Sequence, residues 1–154
     1  MDKVMVTVLL LIAGVVCSMV LLNAVYPAIT GSSGAIVDAA SKIDDRIRSN
    51  ISIIQMSHSG SEFYAWIKNV GAASIGGVSQ SDVFFGPQGG FDRVVYGGSV
   101  TPYWVYAIEG GGAWTPSATL KITVHDSGAL AAGEYYFKVV IPNGISAQDY
   151  YSAP

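Results

Sequence analysis

Few side chains in this chain of 154 residues could carry chemistry. There are two histidines and one cysteine. His125-Asp126 is the one place where a histidine adjoins an acid. Adjacent side chains of a strand point to opposite faces, so this pair cannot close on one ion while the strand lasts. Asp126-Ser127-Gly128 reads instead as the turn that ends it. Asp82 and Asp92 flank a Gly86-Pro87-Gln88-Gly89-Gly90 turn. Loop oxygens there could reach calcium, but the spacing is not that of a calcium loop. Aspartates also form turns by bonding their own backbone. Cys17 lies in an apolar run, where it serves as a small apolar residue. No nucleophile elbow, no phosphate loop ending in Lys-Ser/Thr and no His-Glu-x-x-His occurs. The glycine-rich turns open no helix that could hold a phosphate. The expectation is a non-enzymatic protein with no catalytic residue, no metal site and no cofactor.

Composition points the same way. Hydrophobic residues make up 51% and charged residues 12%, with a net charge of −3. No basic field exists to grip a polyanion, so no nucleic acid is expected as a partner. A single cysteine excludes a disulfide framework and a cysteine-based zinc site.

The elements that would position a working surface begin with a membrane anchor. No charged side chain occurs between Lys3 and Asp38. Val4 to Val25 would form a helix about 33 Å long, enough for a hydrocarbon core of about 30 Å. Thr7 and Ser18 can bond back to helix carbonyls, so they do not veto the span. The run is longer than a signal-peptide core, and Tyr26-Pro27-Ala28 is a poor cleavage site. A lipobox fails because Val15 and Val16 precede Cys17, and a prepilin-type site fails because Lys3 is followed by Val4. An uncleaved anchor is expected over residues 1–28. Charge does not orient it, because Lys3 stands at one end and Lys42, Arg46 and Arg48 at the other. Asn50-Ile51-Ser52 is a glycosylation sequon, which tilts the C-terminal part toward the extracytoplasmic side.

Pro27 and Gly31-Ser32-Ser33-Gly34 can kink, bend or break the helix. A connector helix is expected over 29–49. Within it Ile36, Ala40, Ile43 and Ile47 fall on one face. Asp38/Lys42 and Asp44/Arg48 are acid-first pairs at i, i+4. The stripe fits either packing on its own domain or a self-association seam with other copies.

From Ile51 the period changes to 2. Phe63, Ala65 and Ile67 alternate with Tyr64, Trp66 and Lys68; Leu120, Ile122 and Val124 do so with Lys121 and Thr123. Further strands are read at Ile51–Met56, Ser81–Phe85, Arg93–Tyr96 and Tyr103–Ile108. Asn143-Gly144 should turn Glu134–Ile141 into Ile145–Tyr151. Seven or eight short strands predict an immunoglobulin-like β-sandwich over 50–154. The whole is an α+β layout: a transmembrane helix, an amphipathic extension and a sandwich. Every Trp, Tyr and Phe except Tyr26 lies in that last part, more than one core can enclose. Tyr64, Trp66, Tyr103 and Trp104 are therefore candidates for an exposed partner surface. A covering loop, such as the one bearing Trp114, is the alternative.

Short N-terminus, membrane helix, amphipathic continuation and sandwich together make a type IV filament-like architecture. Tyr64-Ala65-Trp66-Ile67-Lys68-Asn69-Val70-Gly71 resembles the strand ending in Lys-Asn-x-Gly of archaellin-like domains. Ser81–Pro87, Pro102-Tyr103-Trp104, Gly133-Glu134-Tyr135-Tyr136 and Pro142-Asn143-Gly144 resemble the archaellar (archaeal flagellar) protein G family, of the archaellin/protein F/protein G group. The resemblance spans nearly the whole chain and its motifs are structural. It implies a stator or anchor component in the archaeal cell membrane, single-pass, with its sandwich beneath the S-layer. It also implies self-assembly as a homo-oligomer or short filament, and protein F and the S-layer protein as partners. Missing the basic-Gly cleavage site, the chain departs from a filament archaellin. The alternatives are a filament-forming archaellin or pilin-like subunit, and a membrane-tethered module binding envelope glycan through exposed Tyr and Trp rings. Asn50 is a possible glycosylation site.

Overall fold

The computed structural model describes residues 2–154, with the side chains of 28–36 left out. One helix, α1, spans Asp2–Arg48 and includes Pro27. The punctuation at Pro27 and Gly31–Gly34 thus does not end it. A stretch of membrane length covers Asp2–Pro27, 26 residues, with an 18-residue window of mean hydropathy 2.8 and no burial within the protein. Two of its polar side chains bond back to the backbone: Thr7 Oγ1 donates to Val4 O at 2.9 Å, and Ser18 Oγ to Gly14 O at 2.8 Å. Apolar stretches of this length match the hydrocarbon thickness of a bilayer.

The chain divides into two compact units, the first ending at Lys42 and the second running Ile43–Pro154. The second unit holds the end of α1 and eight strands: β1 (Ile51–Ser59), β2 (Glu62–Asn69), β3 (Asp82–Pro87), β4 (Asp92–Tyr96), β5 (Tyr103–Ile108), β6 (Thr119–His125), β7 (Gly133–Val140) and β8 (Ser146–Ala153). Their order is β1-β2-β6-β5-β4-β3-β7-β8. All pairs are antiparallel except β4 and β5, which run parallel through Val95↔Tyr103 and Tyr96↔Trp104. This short parallel contact joins two halves that face each other as the layers of a sandwich. The expected α+β layout is the observed one.

Alternation decides the core. Phe63, Ala65 and Ile67 of β2 are buried, as are Leu120, Ile122 and Val124 of β6. The other layer supplies Val83 and Phe85 from β3 and Phe137 and Val139 from β7. Phe63 bridges the layers, stacking on Phe85 at 4.4 Å and approaching Phe137 at 5.4 Å and Tyr151 at 5.5 Å between ring centroids. A fully buried Phe contributes about 1.5–3 kcal/mol relative to an exposed one.

The two outermost strands, β1 and β8, complete the sandwich on its open side. β1 carries a bulge between Ile53 and Gln55, where the register with β2 shifts. The residue between them, Ile54, is 54% exposed. The Asn143-Gly144 turn connects β7 to β8 as expected, with Gly144 in the left-handed region at φ 84°.

Candidate functional site

The outer face of the β1-β2-β6-β5 layer collects the polar and aromatic side chains that alternation turns away from the core. Register sets Tyr64 beside Thr123, Trp66 beside Lys121, and Glu62 beside His125, which itself faces Tyr103. Lys121 Nζ lies 4.5 Å from the Tyr64 ring centroid and 5.3 Å from that of Trp66. Such cation–π contacts contribute about 0.5–1 kcal/mol at exposed sites. Trp66 Nε1 donates to Glu109 Oε1 at 3.2 Å. The Tyr64 hydroxyl donates to Glu62, whose other oxygen lies 3.2 Å from His125 Nδ1. The Tyr103 ring stacks on His125 at 4.6 Å.

Three of the four expected surface residues, Tyr64, Trp66 and Tyr103, thus share one outward face. Trp104 does not. It is 0% exposed, packed in the core against Tyr96. The correction follows from parity: Trp104 pairs with Val124 and so shares its inward side, while Tyr103 pairs with His125 and points out. Trp114 covers no aromatic face either; it is itself buried, with Nε1 donating to Ala118 O at 3.1 Å.

Electrostatics on this face favour the neutral form of the Tyr64 phenol. The Tyr64 pKa is raised, first because its hydroxyl donates to Glu62, then through burial and the Glu62 charge. Among the described residues no group of three or more His, Cys, Asp or Glu side chains is placed to hold a metal ion. Asp82 does not face a calcium loop but Arg93, at 2.6 Å.

A second aromatic cluster escaped sequence reasoning. On the outer face of the other layer Phe91 meets Tyr136 at 4.5 Å, and Tyr136 meets Tyr150 at 5.3 Å. The Tyr136 hydroxyl donates to Gln148 Oε1 at 2.9 Å. Its pKa is raised, first by desolvation, then by Tyr150. The signal was Gly86, near the end of β3 and opposite Tyr136: a Cβ there would come within 2.7 Å of Phe91 Cα, so only glycine lets Phe91 fold back there.

Of the expected seam, Ile43 is 58% and Ile47 77% exposed, and Ala40 is exposed as well. The side chain of Ile36 lies outside the described residues. Asp44 and Arg48 pair at 3.6 Å beside it. The Asn50 side chain is exposed.

The fold now permits comparison with known proteins. The archaellum periplasmic stator protein FlaG from Sulfolobus acidocaldarius aligns with a TM-score of 0.62 and 27% identity, over 67% of this chain and 99% of that one. The chain is FlaG-like. A second structure, the periplasmic stator complex of FlaF and FlaG from the same organism, aligns with a TM-score of 0.61 and 27% identity, over 66% of this chain and 87% of the other. An uncharacterized protein of Archaeoglobus fulgidus is 25% identical over 158 aligned positions, covering 97% of this chain and 98% of its own length. No protein-family model matches. The resemblance read from the FlaG-like motifs is therefore carried by the fold as well. The solved neighbours are stator proteins rather than enzymes.

Proposed function

We propose that this chain is a stator component of the archaellum, held in the cell membrane by its N-terminal helix and acting with protein F against the S-layer. The observation that carries this reading is the alignment over 99% of a FlaG stator chain. The neighbouring FlaF–FlaG complex supports protein F as a partner. The 26-residue apolar stretch supports single-pass anchoring, with the β-sandwich on the extracytoplasmic side. A stator must grip the membrane, transmit force through a connector and contact something fixed. The apolar helix, the exposed Ile43–Ile47 stripe and the Tyr64–Trp66–Tyr103 face supply these in chain order. Self-association through Ala40, Ile43 and Ile47, with Ile36 continuing the stripe, would build the homo-oligomer or short filament.

Crosslinking mass spectrometry on intact cells tests this reading, following links from Lys68, Lys121 and Lys138. Links to protein F or to the S-layer protein support a stationary anchor. Links confined to identical copies in sheared, cell-free filaments would make the chain a propeller subunit instead. N-terminal sequencing separates the two again: a start inside the apolar run belongs to a filament subunit.

A further inference from the structure

The end of α1 is fastened to the β-sandwich by backbone hydrogen bonds. The last carbonyls of a helix have no partner within it and must find one elsewhere. Here Arg48 O accepts from Ala72 N at 2.7 Å and from Ala73 N at 3.2 Å. Two residues on, Asn50 O accepts from Val70 N at 2.9 Å and Gly71 N at 3.0 Å. Between them, Ser49 is drawn back onto the helix, its Oγ donating to Asp45 O at 2.6 Å. The receiving loop is pinned in turn by Asn69, which is 0% exposed. Asn69 Nδ2 donates to Ala73 O and Trp114 O, and its Oδ1 accepts from Gly71 N. The chain of bonds therefore runs from the helix end through the loop after β2 to the buried Trp114.

Gly71 makes the contact possible. A Cβ there would lie 2.5 Å from Arg48 O and 2.5 Å from Asn50 N, both backbone atoms. Backbone on both sides cannot yield as a flexible side chain can. By contrast, a Cβ on nearby Gly76 would meet nothing within 4 Å. Satisfied polar networks shielded from water rigidify what they join.

We infer that Asn69 and Gly71 form a clamp that fixes the direction of the helix end in the β-sandwich, so that torque on the sandwich reaches the helix without bending at residue 49. The torque part rests on the stator reading; the clamp itself does not.

The test uses the full chain in lipid nanodiscs with Cys17→Ser and spin labels at Ile47→Cys and Ser152→Cys, measured by pulsed dipolar spectroscopy. The distance distribution should be narrow, should at least double in width with Gly71→Ala, and should stay narrow with Gly76→Ala. A folded Gly71→Ala chain with an unbroadened distribution overturns the clamp. Amide hydrogen exchange on the unmodified protein gives an arm that survives any misfolding of the variant. Val70, Gly71 and Ala72 should exchange at least a hundredfold slower than free peptide, and unprotected amides there overturn the clamp. In cells, Gly71→Ala present in the membrane at normal levels should slow swimming, whereas Gly76→Ala should not. A broadened distribution with normal swimming removes the torque role. Normal swimming after deletion of the whole gene would instead remove the stator reading, leaving spectroscopy and exchange to judge the clamp.

Discussion

His58 of β1 and Tyr151 of β8 meet across the open side of the sandwich, with Nδ1 2.8 Å from the hydroxyl and ring centroids 5.6 Å apart. These strands lie at the two ends of the sheet order and share no ladder. Side chains therefore close what the backbone leaves open. Replacing Tyr151 with Phe keeps the ring against Phe63 but removes the hydroxyl, and should cost about 1 kcal/mol in urea unfolding. Faster hydrogen exchange should appear in β1 and β8 before it appears in β2 or β6. Uniform acceleration would show that this contact closes nothing.

The two tryptophans Trp66 and Trp104 should behave oppositely. Trp104→Ala empties a fully buried site and should cost about 3–5 kcal/mol. Trp66→Ala removes one hydrogen bond and one cation–π contact at the surface, for about 1 kcal/mol or less. Pull-down of protein F or of the S-layer protein should weaken for the second variant while its unfolding midpoint barely moves. Retained binding would clear the Tyr64–Trp66 face of a docking role.

Ile43→Asp should break self-association while leaving the sandwich folded. Ile43 is exposed, so a charge there meets water in the monomer but an apolar stripe in an oligomer. Light scattering on detergent-solubilised chain reads the result, with far-UV circular dichroism as the folding control. An unchanged oligomer would assign the stripe to a simple stalk.

Tyr64 should titrate late. Its raised pKa means that folding favours the neutral phenol. The corresponding stability is fully present below the unfolded value near 10 and is lost as pH rises through the folded value. Ultraviolet difference titration at alkaline pH should show that Tyr64→Phe removes a phenol from the upper end of the curve. Loss of an early-titrating phenol instead would mean that Glu62 does not hold this hydroxyl.

Much of the β domain was legible from alternation. Tyr103–Ile108 keeps its expected bounds, the alternation of Leu120, Ile122 and Val124 lies within β6, and Asn143-Gly144 turns where its chemistry dictates. The placement of Trp104 was not legible, because one of two adjacent aromatics must face inward and only the pairing with β6 says which. The Glu62–His125 contact depends on the same tertiary register. Local sequence places helix up to residue 49 but does not foretell that α1 runs unbroken past Pro27 and the glycines, or that the loop after β2 receives the carbonyl of Arg48. In the Lys-Asn-Val-Gly stretch the pattern was visible but its reason was not. Gly71 is small because a helix end arrives from elsewhere in the chain.

The bulge in β1 matters most where copies crowd together. β1 contains no charged residue and no proline, the usual deterrents against strand-to-strand fusion. A kink at Ile53–Gln55 interrupts the straight row of donors and acceptors that a neighbouring strand would need. Molecules held side by side on one surface can then meet through their faces and helices while their sheets stay separate.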